Sequence, residues 1–179
     1  MDFAILDFIQ TCHNDVFTFI MKCLTYASNH GRLWIGLCIV LLCIPKTRKI
    51  GVYLAVTLLI EFLLNDRVIK PLVARDRPFI QRPEIDTIIS RPSGFSFPSG
   101  HSASSFATAM ALFLQNKKWG IGALVIASGV AFSRLYFAVH FPTDVICGSL
   151  FGILIAIAVN LIGKRIEKYL AERKRVKEE

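Results

Sequence analysis

Residues 133–163 read SRLYFAVHFPTDVICGSLFGILIAIAVNLIG. From Val145 to Gly163 there is no charge, and the run approaches the ~20 apolar residues a helix needs to cross a bilayer. Ser133-Arg134, His140 and Asp144 stand directly before it. Pro142 disfavours helical geometry at Phe141 and suits the first position of a helix, so His140 and Asp144 are expected to face each other across a turn that opens this span.

Outward from this stretch the same pattern recurs. Apolar runs bounded by polar residues lie at about 15–29, 33–45, 50–64, 101–114 and 119–139, with 145–163 as the sixth. The fold class they predict is all-α: a polytopic membrane protein with a bundle of six transmembrane helices in a single domain, 1–179. The first run carries Lys22 and ends in Ser28-Asn29-His30-Gly31, which suits a tilted span or an interfacial helix. Residues 3–9 suit either a short amphipathic surface helix or a frayed apolar terminus.

Composition supports the membrane class, with 54% hydrophobic residues and mean hydropathy of +0.52. A net charge of +8 would suit nucleic-acid binding if Lys and Arg formed a stripe interleaved with aromatics. They fall instead in the gaps between apolar runs, which points to membrane topology and anionic lipid or substrate, and to no nucleic acid. The five cysteines lie mostly inside apolar runs without CxxC or zinc-like spacing, and read as small hydrophobes. Asp2 and Asp7, with no basic segment before them, argue against a removable signal peptide.

Charge also sets topology. Lys46-Thr47-Arg48-Lys49, Lys117-Lys118 and the basic tail from Lys164 hold more than half of the 21 basic residues, all on one face of a six-span chain. The positive-inside rule makes that face, both termini and the tail 164–179 cytoplasmic. Residues 65–100 and 133–144 are separated by two spans and emerge together on the other face. The connector 65–98 is longer than loops without function usually are. It carries Arg67, Lys70, Arg75, Arg77, Arg82 and Arg91 on the face the charge rule would keep poor in cations, and an anionic ligand is the simplest reason.

Three clusters on this face carry chemistry. If the chain stays helical past Val68, Lys70 and Arg77 lie about two turns apart on one face and form a phosphate clamp, with Pro71 as a kink. Pro98-Ser99-Gly100-His101 precedes the run Ala103–Leu114. Ser99 is a good N-cap, Gly100 admits a ligand to the backbone, and a helix start binds anions. His101 would be aimed at the bound anion. An ionised Asp144 holding one nitrogen of His140 leaves the other free as a nucleophile or base, with Arg134 beside it. Taken singly, each cluster has a plain structural reading as snorkelling cations, a helix cap or interfacial side chains. Together on one membrane edge they make one reaction.

Lys70-x6-Arg77-Pro78, Pro98-Ser99-Gly100-His101 and Ser133-Arg134-x5-His140-x3-Asp144 resemble the three-part signature of the type 2 phosphatidic acid phosphatases (the PAP2, or lipid phosphate phosphatase, superfamily), over about residues 65–150. The resemblance implies a six-helix bundle and a phosphatase that works without metal or cofactor through a phosphohistidine. His140 would be the nucleophile, Asp144 its orienting partner and His101 the acid for the leaving oxygen. Lys70, Arg77, Ser99, the Gly100 amide and Arg134 would bind the phosphoryl oxygens. Asp76 departs from the Arg-Pro-Arg-Pro run common in relatives. Compact members are similar to undecaprenyl diphosphate phosphatases of the bacterial cytoplasmic membrane, with an outward-facing site, and to phosphatidylglycerophosphate or phosphatidate phosphatases. A non-catalytic lipid-phosphate binder or transporter is the reading from another class.

Overall fold

Every element of secondary structure among the described residues, 2–178, is helical in the computed structural model. The helices are α1 Asp2–Gln10, α2 Asp15–Ser28, α3 Arg32–Cys43, α4 Arg48–Leu64, α5 Lys70–Val73, α6 Pro78–Gln81, α7 Gly100–Gln115, α8 Lys117–Tyr136 and α9 Pro142–Glu178. The six apolar runs became α2, α3, α4, α7, α8 and α9, within a few residues of the expected ends except at the end of α9, which runs on to Glu178.

Their ends follow from capping chemistry. Asn14 accepts a hydrogen bond from Phe17 N–H at 2.9 Å and Asn116 one from Trp119 N–H at 3.1 Å, satisfying donors that a helix start leaves free. Between α2 and α3, His30 and Gly31 take left-handed conformations with φ of 54° and 69°, and the chain reverses there. The basic tail continues α9 as one 37-residue helix.

Helix α7 occupies the centre, packed along α9 and α8 and against α4. The contact with α9 is close because small residues recur every fourth position there, at Gly148, Gly152 and Ala156. A Cβ on Gly152 would lie 2.9 Å from the Ala107 nitrogen, and one on Gly148 would lie 2.7 Å from the Ser99 carbonyl oxygen. Backbones that approach this closely gain dispersion contacts along their length, the usual packing of membrane helices. Beside them Trp34, Leu41, Leu54, Leu112 and Ala127 form the main core, and the Trp34 indole donates to Ser105 Oγ at 2.8 Å.

The exterior is apolar as well. Phe19, Ile39, Leu59, Val125, Leu150 and Leu154 are exposed on the outer faces of their helices. Among the described residues, α8 and α9 are long and apolar enough to cross a membrane, with mean hydropathies of 1.3 and 2.6 over their best 18 residues. The other four main helices span 12–17 residues. Of the cysteines, Cys38 is buried while Cys12, Cys23, Cys43 and Cys147 are exposed, and all are free thiols.

The bundle has two chemically different ends. At one, Lys49 pairs with Glu167 at 2.7 Å, Tyr53 donates to the same carboxylate at 2.9 Å, and Gln115 donates to Asn160 at 2.9 Å. The basic gaps 46–49 and 117–118 lie here. At the other end meet the connector 65–99, the turn 137–141, the start of α7 and the α2–α3 turn.

Three expectations change. Helix α2 does not run between the two ends: the Asn14 amide at its start donates to the Tyr136 hydroxyl at 3.3 Å and Asn29 at its end meets His101 at 2.9 Å, both at the site end, so α1 and α2 lie with the site and not at the basic end where the six-span count put the first residues. A single helix face does not carry Lys70 and Arg77. The helix is already a π-turn over Asn65–Ile69, resumes as α5, and stops at Ala74 with φ of 48°. Arg77 then arises from extended backbone at the start of α6. Residues 2–10, for which two readings stood open, form a helix with Leu6 and Ile9 buried.

Candidate active site

His140 sits on the turn between α8 and α9 and is 2% exposed. Its Nδ1 lies 3.6 Å from Asp144 Oδ2 and its Nε2 lies 3.1 Å from Arg77 Nη1. A guanidinium can only donate, so Nε2 is the nitrogen with the lone pair and Nδ1 carries the hydrogen, facing the carboxylate. Burial pulls the imidazole pKa down to about 3, which keeps the ring neutral, with its Nε2 lone pair accepting from Arg77.

Asp144 lies in the first turn of α9, where the helix dipole favours its charge. Oδ2 accepts from Ser96 Oγ at 2.5 Å and from the Phe141 amide at 2.9 Å, and Oδ1 accepts from Arg75 Nη1 at 2.7 Å. Ser96 Oγ is also 3.4 Å from His140 Nδ1. The carboxylate is fully buried, and these donors replace the water it has lost.

Before the imidazole opens a cavity of about 670 Å³ whose wall includes Lys70, Arg77, Gly100, His101, Arg134 and His140. Arg77 is held by three carbonyls, donating from Nε to Gly94 O and from Nη1 to Val139 O at 2.9 Å each, and from Nη2 to Ser93 O at 3.3 Å. Burial lowers its pKa to about 10, so it stays charged at neutral pH. Arg134 is 2% exposed; its Nη1 donates to Thr25 Oγ1 on α2, while its Nε has no partner. Lys70 pairs with Asp66. A Cβ at Gly100 would lie 3.3 Å from Lys70 Nζ, so glycine lets the amine approach the start of α7.

His101, in the first turn of α7, has Nε2 2.9 Å from Asn29 Oδ1. Bonding through Nε2 leaves Nδ1 to exchange a proton. Ser99 and Asp144 stand behind the wall. Ser99 is fully buried, accepts from Ser102 N–H at 3.4 Å as the N-cap of α7, and donates its amide to Asp144 O at 3.1 Å.

Several site groups escaped sequence reasoning. Ser96, Asn29 and Thr25 carry no spacing signal; each reaches the site from a loop or an apolar helix only through folding. Arg75 was counted among the connector's cations and has a specific partner. Glu61 on α4 is 2% exposed, borders the cavity and leaves Oε1 without a partner. A buried carboxyl inside an apolar run could have flagged it.

The arrangement puts a neutral imidazole, three cations and a second imidazole in the wall of one cavity. Such a site can hold a phosphoryl group, attack it in line and protonate what leaves.

Comparison with known proteins is in keeping with this geometry. The model of the PAP2 superfamily matches residues 46–168. An undecaprenyl-diphosphatase of Sulfolobus acidocaldarius is 36% identical over 132 residues, 72% of this chain and 64% of its own. The bacitracin transport permease protein BcrC of Bacillus licheniformis is 32% identical over 114 residues, 64% of this chain and 56% of its own. The match thus spans less than two thirds of the length of these two curated relatives. Among solved structures, the first transmembrane PAP2 type phosphatidylglycerolphosphate phosphatase from Bacillus subtilis superposes with a TM-score of 0.75 at 27% identity, covering 92% of this chain and 85% of that one. LpxE of Aquifex aeolicus shares the fold with a TM-score of 0.77 at 24% identity, covering 88% and 93%.

Proposed function

The chain belongs to the PAP2 superfamily, and from that premise we propose that it is a membrane phosphatase that hydrolyses a lipid diphosphate, with undecaprenyl diphosphate as the substrate the observations favour. One observation carries the reading: His140 Nε2 carries the lone pair on the side of the cationic cavity, where it accepts from Arg77 at 3.1 Å, while Nδ1 faces Asp144 Oδ2 at 3.6 Å and Ser96 Oγ at 3.4 Å on the far side of the ring.

In the reaction, Arg77, Arg134, Lys70 and the Gly100 amide take the oxygens of the terminal phosphoryl group. As Arg77 Nη1 turns from Nε2 to a phosphoryl oxygen, His140 Nε2 attacks phosphorus while the bond to the bridging oxygen breaks, and His101, protonated at Nδ1 as well as at Nε2 beside the bound anion, gives that oxygen its Nδ1 proton. Water then attacks the phosphohistidine, His101 takes the proton back, and inorganic phosphate leaves with Nε2 restored. The cations supply the charge neutralisation that a metal would otherwise give, so turnover proceeds with EDTA present. Ser99 acts indirectly, by capping α7 and shaping the Gly100 amide.

Helices α3, α4, α7, α8 and α9 run between the two ends and cross the membrane as one domain, with the basic end and the tail cytoplasmic and the site open to the outer face; α1 and α2, which touch Arg75, Tyr136 and, through Asn29, His101, lie with the site on that outer face. The apolar exterior and the segregation of Lys46–Lys49 and Lys117-Lys118 from the site end support this orientation. The relative named an undecaprenyl-diphosphatase supports the prenyl substrate; phosphatidylglycerophosphate and phosphatidate are the competing headgroups.

Purified protein should release phosphate from undecaprenyl diphosphate in EDTA faster than from phosphatidylglycerophosphate or phosphatidate. A strict need for a divalent metal contradicts the mechanism, and a reversed preference contradicts the substrate. The relative named a bacitracin transport permease favours a second reading, binding or transport without turnover. Binding alone needs neither the fixed tautomer of His140 nor the second imidazole, and normal affinity without phosphate release would establish it.

A further inference from the structure

Arg75 lies outside the cavity wall, yet it is bonded to the carboxylate that orients the nucleophile. One guanidinium nitrogen, Nη1, donates at 2.7 Å to Asp144 Oδ1 and at 2.7 Å to Thr143 Oγ1; the other, Nη2, meets Asp2 Oδ2 of α1 at 2.8 Å. Thr143 Oγ1 in turn donates to the same Asp2 oxygen at 2.7 Å. The Arg75 guanidinium lies over the Phe141 ring at 4.0 Å from its centroid, and Phe3 of α1 meets the same ring in a T-shaped contact with centroids 5.2 Å apart. The Ser96 amide donates to the Arg75 carbonyl at 2.7 Å, which sets the loop that supplies the second donor to Asp144.

The helix α1 is fastened over this cluster. Leu6 is fully buried, and Arg82 stacks on Phe3 at 3.8 Å while reaching Asp7 at 3.2 Å. Asp2, Arg75 and Asp144 thus form a chain of charged contacts running from α1 to the carboxylate whose Oδ2 faces His140 Nδ1 at 3.6 Å.

We propose that Arg75 is a positioning residue for the His140–Asp144 pair and that α1, through Asp2, completes the active site from behind. This rests on the phosphohistidine reading of the same site. A carboxylate with two oxygens can swing about its Cβ–Cγ bond; Ser96 and Phe141 hold one oxygen and Arg75 holds the other. Without Arg75 the carboxylate rotates, the Nδ1–H loses its fixed partner, and the Nε2 lone pair wanders from the attack line. Because Arg75 touches no substrate, its loss lowers kcat and leaves KM nearly alone. Asp2 neutralises and aims Arg75, so its loss acts in the same way and more weakly.

The test uses full-length enzyme in detergent, with steady-state kinetics on undecaprenyl diphosphate and thermal unfolding for Arg75→Gln, Arg75→Lys, Asp2→Asn and the Arg75→Gln/Asp2→Asn double variant. Arg75→Gln should lose about 10- to 100-fold in kcat, as removal of an outer partner does at other preorganised sites, with KM within about twofold. Arg75→Lys should recover part of the loss. Asp2→Asn should lose about 3- to 10-fold, and the double variant should be no worse than Arg75→Gln alone, since both act through one contact. Wild-type kcat in Arg75→Gln, a raised KM at unchanged kcat, or additive losses would overturn the proposal. Should Arg75→Gln fail to fold, Asp2→Asn and Arg75→Lys decide by the same kcat-against-KM split. His140→Ala is run beside them: turnover surviving there breaks the phosphohistidine reading itself, whereas an inactive His140→Ala with a fully active Arg75→Gln breaks only the role of Arg75.

Discussion

The two ends of the bundle use the same kinds of side chain to opposite ends. At the basic end Lys49 and Glu167 pair at 2.7 Å with side chains 65% and 42% exposed. At the site end Arg77, Arg134, His140 and Asp144 are all buried. An exposed pair costs little to form and is worth little, and its cations act chiefly through number, as a topological signal. Buried charges are expensive to desolvate, and removing one partner strands the other. The fold keeps three such groups, Arg77, Arg134 and Asp144, at one end with the neutral His140 ring, and leaves Arg134 Nε without any partner, which no gain in stability explains. Burial, more than charge, separates the working end from the orienting end.

The sharpest way to break this contrast is to empty the working end of one cation. Arg134→Ala should lower kcat/KM on the lipid diphosphate by about 10²- to 10³-fold, the usual worth of one preorganised donor to a developing anion, with thermal unfolding showing that the protein still folds. A loss below tenfold would place Arg134 in a structural role.

Packing between the ends comes next. Gly152→Val puts branched atoms where even a Cβ would lie 2.9 Å from the Ala107 nitrogen, and overpacking of this sort costs about 1–3 kcal/mol. The unfolding temperature should fall, and activity with it, since α7 carries Gly100 and His101 while α9 carries Asp144. An unchanged unfolding temperature would mean that α7 and α9 do not meet there.

Acid should act selectively on the working end. His140 has its pKa lowered to about 3 by burial, against ~6.5 for a free imidazole. The unfolded chain therefore binds the proton first, so the contribution of His140 is whole above pH ~6.5 and is lost as pH falls toward the folded value. The unfolding temperature of wild type should drop across this window more steeply than that of His140→Gln. Parallel curves would contradict the buried neutral ring.

The smallest effect belongs to the orienting end. Lys49→Ala should change stability by less than ~1 kcal/mol and leave turnover unaltered in detergent; a large loss of activity would show that the two ends are coupled.

How much of this was legible in the sequence differs by the range of the interaction. The six main helices could be read from apolar runs and caps because both signals are local: Asn116 caps its own helix, and Pro142 opens its own. Spacing also brought His140 and Asp144 together across a turn of a few residues. The joint placement of the three clusters followed from parity, a count of reversals that tolerates error in any boundary. What failed was detail requiring contact between distant segments. Lys70 and Arg77 converge through a left-handed residue at Ala74, a conformation that alanine does not advertise. Ser96, Asn29 and Thr25 are ordinary polar residues until folding sets them against His140, His101 and Arg134. Ser99, whose type suits a phosphate ligand, is buried outside the cavity lining, and its hydroxyl accepts from the Ser102 amide as the helix cap.

The decisive measurement is the chemical state of His140 during turnover. Enzyme mixed with undecaprenyl diphosphate labelled in its terminal phosphate, in EDTA, is quenched in alkali within the first turnover, digested and mapped. Label that is stable to base, labile to acid, located on the peptide holding His140 and absent from His140→Ala is the expected result. Phosphate release at the wild-type rate with no label on that peptide, or with label on another side chain, would contradict covalent catalysis by His140.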